Sequence, residues 1–118
     1  MIAGQVTEDG QPIIRLSVAG RSWVAIVDSG FNGDLELPNA LHGQLNARFR
    51  AREPWLLASG QSIEEDIYSV DFPFDGQTVR AEASFVAGDT ILVGTGMLSS
   101  YRLVIDFPAR TVLLERAA

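Results

Sequence analysis

The sequence predicts an all-β fold, a closed β-barrel of short strands with one or two short helices. Apolar or alternating segments recur about every eight to twelve residues, and glycine, proline, asparagine or aspartate separates them. Only two segments show a weak helical pattern. The 118 residues suffice for one domain, residues 1–118, with a core of its own, and are too few for two lobes.

Composition and charge exclude several classes of protein. Cysteine is absent and His42 is the only histidine, which excludes disulfides, thiolate metal sites and multi-histidine sites. The net charge of −6 and the pI near 4.6 argue against a nucleic-acid partner, because such proteins normally carry a basic surface. No window approaches the about 20 apolar residues of a membrane span, and no secretory signal pattern is present. We therefore expect a soluble, cytoplasmic protein with no membrane partner.

Three strands are predicted in the N-terminal part of the chain. Segments 2–7 and 12–18 flank Asp9-Gly10, a strong signal for a β-hairpin. After a turn at 19–22, segment 23–27 is an apolar run, which is typical of a strand buried on both faces.

The apolar run leads directly into Asp28-Ser29-Gly30. A carboxylate at the end of a buried strand costs free energy unless it is paired or used in chemistry. Gly30 allows a tight turn after the acid, and the Ser29 hydroxyl both donates and accepts hydrogen bonds. By itself the tripeptide also fits an ordinary turn.

The central part of the chain predicts a strand, a weak helix and a long hairpin. Segment 35–38 is a brief strand that ends at a proline, and 39–49 has the loose apolar spacing of a short helix. Segments 55–58 and 67–72 read as the two arms of the hairpin, with a polar tip at 59–62.

The C-terminal part predicts four more strands. Segment 79–85 alternates apolar and polar residues, and 91–94 is an apolar run that ends in glycine. A short helical turn is expected at 97–100. Segments 103–107 and 111–115 form a closing hairpin around a proline-containing turn.

In their order and spacing these motifs resemble the retropepsin-like aspartic proteases. Asp28-Ser29-Gly30 matches the catalytic loop of that family, and Ala58-Ser59-Gly60-Gln61 matches the tip of its flap. Ile91-Leu92-Val93-Gly94 matches the motif whose strand crosses behind the catalytic loop, and Met97-Leu98 matches the start of the helix after it.

The resemblance covers nearly the whole chain and has two further features. Segment 103–111 looks like the closing hairpin of cellular and retrotransposon-type members. Phe31-Asn32-Gly33 departs from the viral pattern, which usually has a small residue after the glycine, and looks more like the small prokaryotic members. The resemblance therefore implies a retropepsin-like closed β-barrel of the prokaryotic type.

Aspartic-protease chemistry needs two carboxylates that share one proton. This chain has one Asp-Ser-Gly, so the resemblance implies a C2 homodimer in which Asp28 faces its symmetry mate. It also implies that Ser29 bonds across the interface to the loop of the other copy. Gly30 would keep the loop in plane and leave room for substrate.

The implied activity is that of an aspartic endopeptidase acting on a peptide or protein substrate, with no metal and no cofactor. A flap hairpin would close over an extended peptide, whose backbone pairs with flap and body. The residues implied in substrate binding are Phe31 as a pocket wall and the flap-tip residues Ala58, Ser59, Gly60 and Gln61.

Other functions stay open at this point. The main alternative is a catalytically silent module of the same fold that dimerises or binds peptides, since a fold does not determine function. A small β-barrel that binds a ligand or oligonucleotide is disfavoured by the acidic charge balance. A metal site would need oxygen ligands alone, and no EF-hand spacing is present.

Overall fold

The computed structural model describes residues 1–117. Over these residues the chain forms ten strands and one 3-10 helix, η1. In chain order the elements are β1 (Ile2–Val6), β2 (Pro12–Val18), β3 (Arg21–Val27), β4 (Leu35–Pro38), η1 (Asn39–Leu41), β5 (Arg48–Leu56), β6 (Ser62–Phe74), β7 (Gln77–Val86), β8 (Ile91–Val93), β9 (Tyr101–Asp106) and β10 (Thr111–Arg116).

All ten strands belong to one sheet, in the order β5-β6-β7-β4-β8-β3-β2-β1-β10-β9. Most neighbours pair antiparallel, but β3 pairs with β8 and β4 pairs with β7 in parallel. Strand β8 thus lies between β3 and β4, although it follows them by more than fifty residues. The predicted all-β class is confirmed.

The prediction of a closed barrel is wrong. Strands β5 and β9 are the two edges of the sheet and do not pair with each other. The sheet instead curls until β2 packs against β6, which is not its neighbour. Curling buries the inner face without an edge-to-edge ladder, because side-chain packing and strand pairing are separate requirements.

The prediction of one or two short helices is also wrong for the described residues. The segment expected to be helical at 39–49 forms only η1, and β5 begins at Arg48. The Asp71 N–H donates to the Leu45 carbonyl oxygen at 3.0 Å, so β6 takes a hydrogen bond that a helix would have kept within itself. Residues 97–100 form turns and no helix.

The long central hairpin is present, but its arms differ from the predicted ones. Strands β5 and β6 pair from Arg48 opposite Ser69 to Leu56 opposite Ser62, with an irregularity between Phe49 and Ala51. The tip consists of residues 57–61. Both strands are longer than the predicted arms, 55–58 and 67–72. Cross-strand pairs extend the ladder through polar residues, and because these residues show no apolar alternation, the sequence did not predict that they form strands.

The core lies inside the curled sheet and supports the end of β3. Val27 lies beside Val93 in the β3–β8 ladder, and both are buried. Burying such a side chain stabilises the fold by about 1.5–3 kcal/mol. The largest fully buried side chains are Phe72, Ile14, Leu35, Leu37, Leu41, Ile91 and Leu114.

Candidate active site

Asp28 lies where β3 ends against β8. The Asp28 N–H donates to the Val93 carbonyl oxygen at 2.9 Å, which continues the parallel ladder by one residue. The Asp28 side chain is half-buried, whereas Ser29 and Gly30 are exposed. The ladder therefore holds the backbone of the acid in place at a surface that substrate or a second copy can reach.

The loop closes on its own carboxylate. Asp28 Oδ1 accepts a hydrogen bond from the Gly30 N–H at 2.9 Å, and the Phe31 N–H donates to the Asp28 carbonyl oxygen at 3.2 Å. A backbone N–H aimed at a carboxylate fixes the orientation of that carboxylate. The residue types expected at the catalytic loop thus form one compact turn, 28–31.

The segment after β8 packs directly on this loop. The Thr95 N–H donates to the Phe31 carbonyl oxygen at 2.8 Å, and the Gly94 N–H donates to the Asp34 carbonyl oxygen at 2.9 Å. A Cβ atom on Gly94 would overlap the carbonyl oxygen of Gly33 and lie 2.7 Å from that of Phe31. Only glycine permits this approach, so Gly94 supports the loop by having no side chain.

Asp34 ties the far end of the loop to β7. Its Oδ2 accepts a hydrogen bond from the Glu82 N–H at 2.9 Å. Sequence reasoning did not single out Asp34, because a polar residue after Asn32-Gly33 looks like part of an ordinary turn. Its role becomes visible only once β4 and β7 are paired.

The β5–β6 hairpin contacts the loop through its arm. The rings of Phe31 and Trp55 lie edge to face, with centroids 6.1 Å apart. The four residues expected at the tip of a flap, Ala58 to Gln61, are exposed, and the Leu57 N–H donates to the Gln61 carbonyl oxygen at 2.8 Å. The structure therefore brings Phe31 to the hairpin and places Ala58, Ser59, Gly60 and Gln61 apart, at its end.

A cavity of about 100 Å³ lies between the loop and the inner face of the hairpin. Of the predicted site residues, Phe31 alone lines it. The other lining residues were missed, since they come from separate strands and only the register of β5 with β6 and β7 brings them together. They are Gly33, Asp34, Leu35, Glu53, Trp55, Glu65, Ile67, Glu82, Ala83 and Ser84.

Carboxylates influence one another around this surface. The pKa of Glu36 is raised by burial first, and then by the negative charges of Glu65 and Asp28. Burial and a nearby like charge both disfavour an ionised carboxylate. Asp28 therefore lies in a negatively charged environment formed by residues from β4 and β6.

Two further classes of site can be judged from the described chain. Within residues 1–117, no group of three or more histidine, aspartate or glutamate side chains is placed to hold a metal ion. No helix in this part of the protein has the length and apolar character needed to cross a membrane.

Comparison with solved structures identifies the fold. A retropepsin-like aspartic protease from Rickettsia conorii superimposes with a TM-score of 0.67 and 17% identity, over 96% of this chain and 88% of that one. The foamy viral protease-reverse transcriptase in complex with an RNA/DNA hybrid matches with a TM-score of 0.62 and 14% identity, over 80% of this chain and 13% of the viral one. No family model and no curated protein matches.

The chain therefore has the fold of the retropepsin-like aspartic proteases, and the resemblance expected from its motifs is confirmed at the level of the fold. A second foamy viral structure, the dRH form with double-stranded DNA, agrees, with a TM-score of 0.60 and 15% identity over 82% of this chain and 17% of the viral chain. This chain thus corresponds to a small part of the viral enzymes.

Proposed function

We propose that residues 1–118 form one aspartic endopeptidase domain of the small prokaryotic type, acting in the cytoplasm as a homodimer. The observation that carries the proposal is the position of Asp28. Asp28 directly follows β3, beside β8, in a retropepsin-like fold, and the Gly30 N–H orients its carboxylate at 2.9 Å. Phe31-Asn32-Gly33 and the bacterial structural neighbour support the prokaryotic type.

The need for a second copy follows from the chemistry. Peptide hydrolysis by carboxylates uses one group as base and one as acid. Among residues 1–117, Asp28 shares no hydrogen bond with another carboxylate, and the chain contains one Asp-Ser-Gly. A C2 dimer would bring two copies of Asp28 together across the axis.

The reaction then proceeds through water held between the two carboxylates. The ionised Asp28 removes a proton from the water as its oxygen attacks the carbonyl carbon, while the protonated Asp28 of the other copy donates to the carbonyl oxygen. The tetrahedral intermediate collapses with cleavage of the C–N bond. The leaving amine takes the proton that the first Asp28 removed from the water, and a hydroxyl proton of the intermediate returns to the Asp28 of the other copy, which restores the dyad. Ser29 would orient the loops by a hydrogen bond across the axis, and Gly30 would leave space above them.

The substrate is an extended peptide that adds as a strand between the loop and the β5–β6 hairpin, which acts as the flap. Phe31 forms a pocket wall, and Ala58, Ser59, Gly60 and Gln61 contact the peptide backbone. Neither a metal nor a nucleic acid takes part. Closure of the hairpin would exclude bulk water from the site.

The test is cleavage of a peptide library between pH 3 and 7 by the wild type and by Asp28→Asn, with sedimentation velocity on the same samples. We expect a dimer whose cleavage is blocked by pepstatin-type inhibitors and abolished in the variant. A folded dimer that cleaves nothing at any pH would instead favour the silent peptide-binding module. A monomer that cleaves would contradict the shared dyad.

A further inference from the structure

The two faces of the β5–β6 hairpin carry different charge patterns. Because side chains alternate along a strand, Arg52 and Asp66 point to one face, and their neighbours Glu53 and Glu65 point to the other. Trp55 shares the face of Glu53, and this face is the inner one, since the Trp55 ring contacts Phe31 of the loop.

The outer face compensates its own charges. Arg52 Nε lies 3.3 Å from Glu64 Oε2 and 3.4 Å from Asp66 Oδ1. One guanidinium thus pairs with two carboxylates on the neighbouring strand, and such cross-strand pairs of opposite charge stabilise a hairpin.

The inner face has no such compensation. Glu53 and Glu65 lie directly opposite each other in the ladder, an arrangement that destabilises a strand pair. Glu82, on β7, and Asp34, whose Oδ2 accepts a hydrogen bond from the Glu82 N–H, add two further carboxylates to the same cavity. No lysine, arginine or histidine lines this cavity, and none of its four carboxylates has a salt-bridge partner among residues 1–117.

Apart from the four carboxylates, the side chains that line the cavity are apolar, with the exception of the Ser84 hydroxyl. Phe31 and Trp55 form an aromatic corner, and Ile67 lies beside them. Ser84 also lines the cavity and is only 6% exposed. The Ser84 hydroxyl can both donate and accept hydrogen bonds.

We propose that this cavity is a subsite for an arginine or lysine side chain of the peptide substrate. The aromatic corner packs on the apolar stem of the side chain and attracts its cation, while Glu53 and Glu65 bind the charged end. The bound cation also removes the repulsion between the two glutamates. This inference rests on the proposed function and names the substrate class for it.

The test compares blocked peptides that differ at one residue, with arginine, lysine, citrulline or norleucine scanned through each position. For the wild type, we expect kcat/KM to be at least about tenfold higher with arginine than with citrulline at one position, a difference of about 1.4 kcal/mol. Glu65→Gln should remove most of this preference, so that the arginine and citrulline peptides are cleaved with similar kcat/KM. Glu64→Gln, on the outer face, should keep the preference.

Binding separates this inference from the proposed function. The single variant Asp28→Asn and the double variant Asp28→Asn with Glu65→Gln are each titrated with labelled arginine and citrulline peptides. An arginine preference that depends on Glu65 supports the subsite, even if the wild type cleaves nothing and the proposed activity fails. Cleavage with equal kcat/KM for arginine and citrulline overturns the subsite and leaves the protease in place. If the protein shows neither cleavage nor preferential binding of the arginine peptide, both the subsite and the proposed function are overturned.

Discussion

At the scale of single residues, Gly94 decides whether the loop 28–31 can pack against the end of β8. Gly94→Ala would push a methyl group into the backbone of the loop, at the carbonyl oxygens of Gly33 and Phe31. Overpacking against backbone typically lowers the free energy of unfolding by about 1–3 kcal/mol, and we expect that loss in urea denaturation.

Gly43→Ala is the matched control for this substitution. No atom lies within 4 Å of a Cβ built on Gly43, and its φ is not in the left-handed region. Its free energy of unfolding should therefore be unchanged or slightly raised. Equal losses for the two variants would contradict the tight packing assigned to Gly94.

Glu36 makes a second prediction at this scale, because burial and two neighbouring carboxylates raise its pKa. The folded state then binds the proton more tightly than the unfolded state, so ionised Glu36 destabilises the fold above its folded pKa, and the cost disappears as the pH falls through that pKa. Glu36→Gln should raise the free energy of unfolding at neutral pH by up to about 1 kcal/mol. The gain should vanish in acid.

The measurement is urea denaturation of Glu36→Gln and wild type from neutral pH into acid. Glu8→Gln, an exposed substitution in the β1–β2 turn, serves as the control and should show no such trend. A gain that persists unchanged in acid would mean that packing, and not charge, is responsible.

At the scale of elements, the β5–β6 hairpin is held to the body partly by the contact between Trp55 and Phe31. An aromatic pair contributes about 0.5–1.5 kcal/mol beyond its buried area. Trp55→Ala should therefore speed amide hydrogen exchange in residues 50–66 by about two- to tenfold. The global free energy of unfolding should change little, because Trp55 is 41% exposed.

Leu56→Ala is the control for the hairpin. Leu56 follows Trp55 on the opposite face and is 74% exposed. Exchange in the hairpin should stay at the wild-type rate in this variant. If both variants accelerate exchange equally, the ring contact is not what holds the hairpin to the loop.

At the scale of the whole molecule, the proposed active site consists of two chains. When equal amounts of wild type and Asp28→Asn exchange subunits, about one quarter of the dimers contain two intact aspartates. The activity per wild-type chain should then fall to about half of its unmixed value. Mixing with Asp9→Asn, altered in the exposed β1–β2 turn, should leave that activity unchanged. If the activity per wild-type chain does not change on mixing with Asp28→Asn, each chain contains a complete site.

Local sequence predicted the parts of the site that follow from one strand and its turn. The apolar run before Asp28 predicts a buried strand that ends at a carboxylate, and the glycine two residues later predicts the turn. The prediction of a helix at 39–49 was wrong because cross-strand pairing of β5 with β6 outweighs weak helical spacing. Leu41 and Leu45 are buried all the same, since their apolar character matters in either conformation.

The sequence by itself determined the strand-rich class, the position of Asp28-Ser29-Gly30 and the resemblance to a fold, because these depend on alternation, turn residues and motif order along the chain. Only the tertiary structure decided that the sheet stays open, that Gly94 packs on the loop, and that Glu53 and Glu65 face one cavity with Trp55 and Phe31. The physical reason is register. A shift of one residue of β5 against β6 would turn Glu53 and Trp55 to the outer face, and register is set by long-range pairing.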